Sequence, residues 1–400
     1  DAEYEERLRE LMLQAVLCRL PTLAPATLFM SGGIDSLAVF GAARQLEEHG
    51  CGTRMHLHSL VRIDPGCLET SNLRLAGVGR ESTTTYIDGN NPWSPEEENE
   101  ARAMVLRRPS VADLSLASMH WLASRARGQG MRAVFTGVSG DMAVHSPTAP
   151  LAHLIKSQGL SHAWRESKAL AERHSLIREQ GKSRILADGL WQSFTPIRAQ
   201  QAVARHRAVL RRQRALAIAG IRSIASPWIE LETRIDRNLV DWELARLTSP
   251  RAEHLFELQT GAIQLGLEGF GAAMALHGME HLDPWSDLRI LRFCLSLPLE
   301  QRVRHGWYKY LARSAFEPWL PPVGWHREKK HLGNLIMQRI HPWLQTDVEA
   351  GIGSPPDPLV RLLGYRLARH LMQDSVTHER PQHLGNWTLS TLVWLRWLQR

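Results

Sequence analysis

The sequence predicts an α/β protein in which a parallel sheet flanked by helices is followed by a mostly helical second half. Three observations predict it. Short apolar or β-branched runs at 26–30, 55–63, 83–87 and 133–136 alternate with helical patterns at 36–48 and 111–127, as parallel strands covered on both faces do. The first run passes through a glycine-rich seam directly into a helical pattern. From about residue 150 onward helical periodicity dominates and clear strands are absent.

The elements follow in order. Residues 3–20 place Tyr4, Leu8, Leu11, Met12, Ala15, Val16 and Leu20 at helical spacing, and Pro21 ends that amphipathic helix. ATLFM (26–30), MHLHSLVRI (55–63), TTTYI (83–87) and AVFT (133–136) read as strands. Helical patterns then occupy 151–180, 196–220, 232–247, 252–276, 286–298, 307–316, 359–373 and 387–399, with GIGSPPDP (351–358) as a loop. Two domains are expected, an α/β domain over 1–148 and a helical half over 149–400.

Of the 400 residues, 44% are hydrophobic, enough for the cores of two domains. The 48 basic residues exceed the 41 acidic ones, and a net charge of +7 raises the local concentration of anions without choosing among them. Cys18, Cys51, Cys67 and Cys294 are too scattered for a zinc site, and they suit a reducing compartment better than a disulfide framework. No apolar segment approaches the ~18 residues of a membrane span, so a cytoplasmic protein is expected.

Between strand 26–30 and helix 36–48 lies SGGIDS. Gly32 and Gly33 let backbone approach an anion closely, the helix N-terminus offers unpaired N–H groups, and Ser31 and Ser36 add hydroxyls. Asp35 would repel bare phosphate, and its presence makes sense if Mg²⁺ lies between carboxylate and phosphates. A second seam, TGVSGDMAVH (136–145), follows strand 133–136; Gly137 and Gly140 permit another close turn. Asp141 then stands at the end of a parallel strand, where open α/β sheets bind ligands, and could share the metal with Asp35.

SGGIDS resembles the pyrophosphate loop SGGxDS of the ATP pyrophosphatases, and the Walker pattern is missing. GMEHLDPWSDLRILRFCLSLP (278–298) resembles the GxExRxPFLDxxLxxFxxxLP pattern of asparagine synthetases. KYLARSAF (309–316) and LPPVGWHREKKHLG (320–333) resemble KxxLRxAx and LPxxxxxRxKxxF, and order and spacing agree from residue 3 to about 340. On these blocks the chain is identified as asparagine-synthetase-like.

The resemblance implies an adenine nucleotide alpha hydrolase-like domain with ATP and Mg²⁺ as cofactors. Ser31, Gly32, Gly33, Asp35 and Ser36 would hold pyrophosphate, and Asp35 and Asp141 the metal. Met30 and the backbone of Thr136 and Gly137 would frame adenosine, and Lys329 would neutralise charge as the α-phosphoryl bond breaks. Arg327, Lys309 and Arg313 are expected as supporting ion pairs.

The chain departs from the GEGxDE pattern of asparagine synthetases at Val138 and Met142, from the PFLD block at Leu282, Trp285 and Ser286, and from the lysine motif at Leu332. Val138 puts an apolar side chain where a carboxylate would face the substrate amine. The chain opens with Asp1 at the helix that follows the family's ammonia-supplying domain. That fits either an upstream domain cut away or a substrate bringing its own amine. Lasso peptide cyclases are relatives of the second kind. They resemble this chain in loosened second-loop motifs and in a Trp-bearing C-terminus (Trp387, Trp394, Trp397), although helical spacing favours core packing for most of these. The expected reaction is then adenylation of a side-chain carboxylate in a precursor peptide, followed by isopeptide closure onto the peptide's N-terminal amine. Separate leader-binding and leader-peptidase proteins are expected as partners, and no membrane or nucleic acid. Alternatives are an asparagine or β-lactam synthetase-type enzyme, an adenylating tRNA-modifying enzyme using RHRAVLRRQR (205–214), and an inactive binding module.

Overall fold

The computed structural model describes residues 1–20, 25–51, 55–61, 68–77, 83–88, 94, 96, 99, 116–173, 182–203, 206, 210, 248–259 and 262–320. The chain divides into two compact units. One comprises Asp1–Pro92, Leu122–Pro196 and Leu244–Leu332, and holds the sheet and everything described below as a site. Of the other, the described residues include the first turns of a helix at Leu116–Gly128, where Trp121 is buried.

The first unit is built on a five-stranded, all-parallel sheet, which confirms the α/β expectation. Its strands are β1 (Ala26–Phe29), β2 (His56–Val61), β3 (Thr84–Asp88), β4 (Ala133–Phe135) and β5 (Glu280–Leu282), in the order β3-β2-β1-β4-β5. The chain leaves β1 toward β2 and β3 on one side, and β4 and β5 lie on the other. The order therefore reverses between β1 and β4. In such a sheet the crossovers on either side depart in opposite directions, leaving a crevice at the carboxyl ends of those two strands.

The helix α1 (Ala2–Leu17) buries Leu8, Leu11, Met12, Ala15 and Val16, the face predicted from spacing, against α2 (Ile34–Glu48). With α2 burying Leu37, Val39, Phe40 and Leu46, this layer forms the main core with Leu28, Leu57 and Phe135 of the strands.

Several elements depart from the periodicity. The predicted helix 151–180 breaks at Gly159, which adopts φ 83°, into Pro150–Gln158 and Leu160–Arg173. The stretch 252–276 is likewise two helices, Pro250–Gln259 and Ala262–Leu276. Among the described helices of nine residues or more, Leu68–Gly77 and Lys182–Phe194 were not foreseen. The fifth strand was not foreseen either: EHL is too short, and too mixed in burial, to carry a period-2 signal.

Candidate active site

The first loop begins where β1 ends. Met30, buried, donates its N–H to His58 O at 3.0 Å and prolongs the ladder with β2. The chain then turns at Gly32, whose φ of 78° is open to glycine without strain, and enters α2 at Gly33. The loop is closed internally. Ser36 Oγ accepts from Ser31 N at 3.2 Å and donates to Gly33 O at 3.1 Å, while Ser31 Oγ accepts from Gly33 N at 3.3 Å. Asn72, on the unforeseen helix Leu68–Gly77, donates to Gly32 O at 3.1 Å and pins the glycine turn from outside.

The second loop follows β4. Thr136 is buried, donates its N–H to Leu282 O at 3.0 Å, and shares a 2.8 Å hydrogen bond between its hydroxyl and His281 Nε2. Beyond it the two loops touch, and glycine is what lets them. A Cβ on Gly137 would lie 2.7 Å from Asp35 C and from Ser36 N, and one on Gly140 would lie 2.5 Å from Asp35 Cβ. Val138 and Met142, the departures from the acidic pattern, are both partly exposed on this loop.

The turn after β5 clasps both loops. Trp285, fully buried, donates Nε1–H to the Asp35 carbonyl at 2.9 Å. Asp283, also buried, accepts from Ser139 N at 2.9 Å and from Trp285 N at 3.1 Å. Burial pushes the Asp283 carboxyl up to about 6, with the two N–H donors and Arg19 opposing it. Asp287 caps the next helix, Leu288–Ser296, and bonds Arg289 and Arg19. Its hydrogen bonds with Arg289 first, and those with Arg19, hold it well below the ordinary carboxylate range.

Asp35 and Asp141, 106 positions apart in the sequence, converge on one cation, the ammonium of Lys309. Nζ lies 2.7 Å and 2.6 Å from the two Asp35 oxygens and 2.5 Å from Asp141 Oδ1. Burial alone would lower the lysine pKa, but the charges of Asp35 and Asp141 outweigh it and hold the ammonium above its ordinary value. The expectation that Lys309 forms an ion pair is met, with both acids as partners. Its position comes from a hairpin, Val303–Arg304 against Trp307–Tyr308, whose turn residues His305 and Gly306 have φ of 53° and 73°. Glu166 grips that turn, accepting from both of its N–H groups at 2.9 Å.

Of the sequence-predicted residues, Met30, Ser31, Gly32, Gly33, Asp35, Ser36, Thr136, Gly137 and Asp141 gather at the crevice between β1 and β4. Lys329 lies outside the described residues, as do Arg327, Leu332 and the C-terminal tryptophans. Asn72, Glu166 and Asp283 were missed. Each acts through backbone groups, which leave no motif to search for.

A cation with oxygen ligands fits Asp35 and Asp141, because an ammonium already stands between them. Among the described residues no group of three or more His, Cys, Asp or Glu converges as a protein-only metal cage would. A cation here would take its remaining oxygens from phosphate and water, as Mg²⁺ commonly does. Among the described residues no helix is long and apolar enough to cross a membrane.

The family model for asparagine synthase matches residues 7–399 of the chain. A search of curated proteins gave no match.

Proposed function

Because this chain belongs to the asparagine synthase family, whose members are ATP-dependent amide-forming ligases, we propose that it is an AMP-forming carbon–nitrogen ligase acting on a precursor peptide. A side-chain carboxylate of the peptide attacks the α-phosphorus of ATP and pyrophosphate leaves. The peptide's own N-terminal amine then attacks the acyl carbon, AMP departs, and an isopeptide ring is closed with net loss of one water.

The observation that carries the ATP part is the convergence of Asp35 and Asp141 at the switch point of the sheet, on two loops whose glycines let them pack directly against each other. Ser31, Gly32, Gly33 and Ser36 would bind the pyrophosphate portion, with Met30, Thr136 and Gly137 beside the adenosine. Asp35 and Asp141 would hold Mg²⁺, which would supply positive charge to the phosphates as the α–β bond breaks. Lys329 is assigned the fixed positive charge that stabilises the developing negative charge at the α-phosphate.

The peptide part is supported by Val138. A partly exposed apolar side chain where the family pattern has a carboxylate suits a substrate that brings its amine already positioned, and proximity then does what a recruited ammonia would otherwise require. Such a substrate would be delivered in the cytoplasm by separate leader-binding and leader-peptidase proteins.

The test is incubation of the protein with ATP, Mg²⁺ and candidate peptides, following AMP, pyrophosphate and peptide mass. AMP and pyrophosphate with a peptide lighter by one water is the expected result. ADP and phosphate would reject adenylation. AMP formed with aspartate and ammonia, and not with peptide, would assign the small-molecule reaction instead.

A further inference from the structure

Lys309 has no role in the chemistry above, yet its ammonium occupies the point where Asp35 and Asp141 meet. It is directed there by its surroundings. The residue adopts φ 54° and ψ 41°, a conformation disfavoured for any side chain with a Cβ, and caps the helix Tyr310–Phe316. Its N–H donates to Ser146 Oγ at 2.9 Å, and Glu166 fixes the hairpin turn just before it. The ammonium lies within 2.5–2.7 Å of three carboxylate oxygens and is ion-paired to both acids.

A divalent cation bridging the two acids would lie about 2.0–2.6 Å from their oxygens, at the point the ammonium now occupies. The ammonium and the cation therefore exclude one another from the site. Access is unequal: the Asp141 side chain is 68% exposed and that of Asp35 only 14%. Charge decides the order of events. Two carboxylates and one ammonium sum to −1, the Arg313 guanidinium also acts on Asp35, and a dication added beside the ammonium would leave a net positive charge of at least +1. Phosphates arriving with the dication reverse that sign and give the displaced ammonium a new anion to face.

We propose that Lys309 is the resident counter-ion of the Asp35–Asp141 pair. It holds the two loops together in the nucleotide-free protein and competes with the divalent cation, so that the cation enters with the nucleotide and not before it. This rests on the assignment of Asp35 and Asp141 as the cation ligands.

The experiment is Mn²⁺ binding without nucleotide, read from loss of the free-ion electron paramagnetic resonance signal. Wild type is expected to bind weakly. Lys309→Met should bind tighter by about tenfold or more, since a buried like charge within contact distance is removed. Lys309→Arg and Lys309→Met/Asp141→Asn should both return to weak binding. Equal Mn²⁺ affinity in wild type and Lys309→Met would overturn the proposal. If Lys309→Met is unfolded alone, Mn²⁺ should restore its circular dichroism and thermal transition, and failure of the cation to do so would overturn the proposal equally. AMP formation by wild type is measured separately. Its absence alongside the tenfold tightening would sink the ligase reading and leave the competition standing.

Discussion

Replacing Gly140 by alanine sets two effects of opposite sign against each other. Gly140 is not among the glycines with positive φ, so alanine can adopt its backbone, and the loss of unfolded-state freedom would by itself stabilise the protein by about 0.4–1 kcal/mol. Against this, the new Cβ would sit 2.5 Å from Asp35 Cβ and 2.7 Å from its Oδ1, where carbon contacts are ordinarily about 3.5–4.0 Å. Asp35 cannot swing aside without giving up its two contacts with Lys309. Overpacking of this kind costs about 1–3 kcal/mol, so a net destabilisation of about 1–2 kcal/mol is expected, together with weakened nucleotide binding. Gly137→Ala should be worse, because its Cβ would meet backbone, Asp35 C and Ser36 N, each at 2.7 Å. Gly271, inside the helix Ala262–Leu276, is the control: no described neighbour lies within 4 Å of an added Cβ, and alanine there should stabilise by about 0.5–1 kcal/mol. Urea denaturation midpoints at constant slope measure all three. A Gly140→Ala protein as stable as wild type, with unchanged nucleotide affinity, would refute the contact between the two loops and the site built on it.

Trp285→Phe removes an indole donor to the Asp35 carbonyl, a second bond beside that carbonyl's own helical one, and should cost about 0.5–1.5 kcal/mol in denaturant unfolding, with weaker pyrophosphate binding as the loop loosens. His254 is fully buried, with Nδ1 facing Arg302 Nη1 at 3.0 Å and Nε2 facing Met142 O at 2.8 Å. Burial first, then the charges of Arg302 and His145, lowers its pKa to about 3, so the folded ring stays neutral while the unfolded one protonates below about 6.5. The unfolded chain then binds more protons, and stability should fall as pH drops through that window, by up to about 1.4 kcal/mol per pH unit. In His254→Gln the pH dependence of the unfolding free energy between pH 7 and 4 should flatten. Asp35→Ala and Lys329→Ala should each abolish AMP release in the peptide assay; near-normal turnover in Lys329→Ala would remove that lysine from the chemistry.

What could be read in the sequence was what local chemistry encodes. The two glycine seams, the strands before them and the amphipathic face of α1 all depend on residues a few positions apart. What could not be read depends on residues brought together from far along the chain. Lys309 looks like any cation in a family block; its value comes from a left-handed backbone and a turn held by Glu166, 139 residues before His305. Asn72 and Asp283 satisfy backbone groups, and any polar side chain at the right point would do so, so neither carries a pattern. β5 is three residues long and is made a strand by its ladder with β4, not by its composition.

That last strand is part of the site's frame. β5 delivers Asp283 and Trp285 to the backbone of both glycine loops, and the hairpin at Val303–Tyr308 delivers Lys309 to their two acids. The loops after β1 and β4 supply the groups that would face phosphate, but residues 280–309 supply the hydrogen bonds and the charge that keep those groups in register. A buried carboxylate and a buried ammonium are poor stabilisers in their own right, since each must first be stripped of water. Their use here is positional: Asp283 fixes the Ser139 amide, Trp285 fixes the Asp35 carbonyl, and Lys309 offsets the repulsion between two acids held at one point.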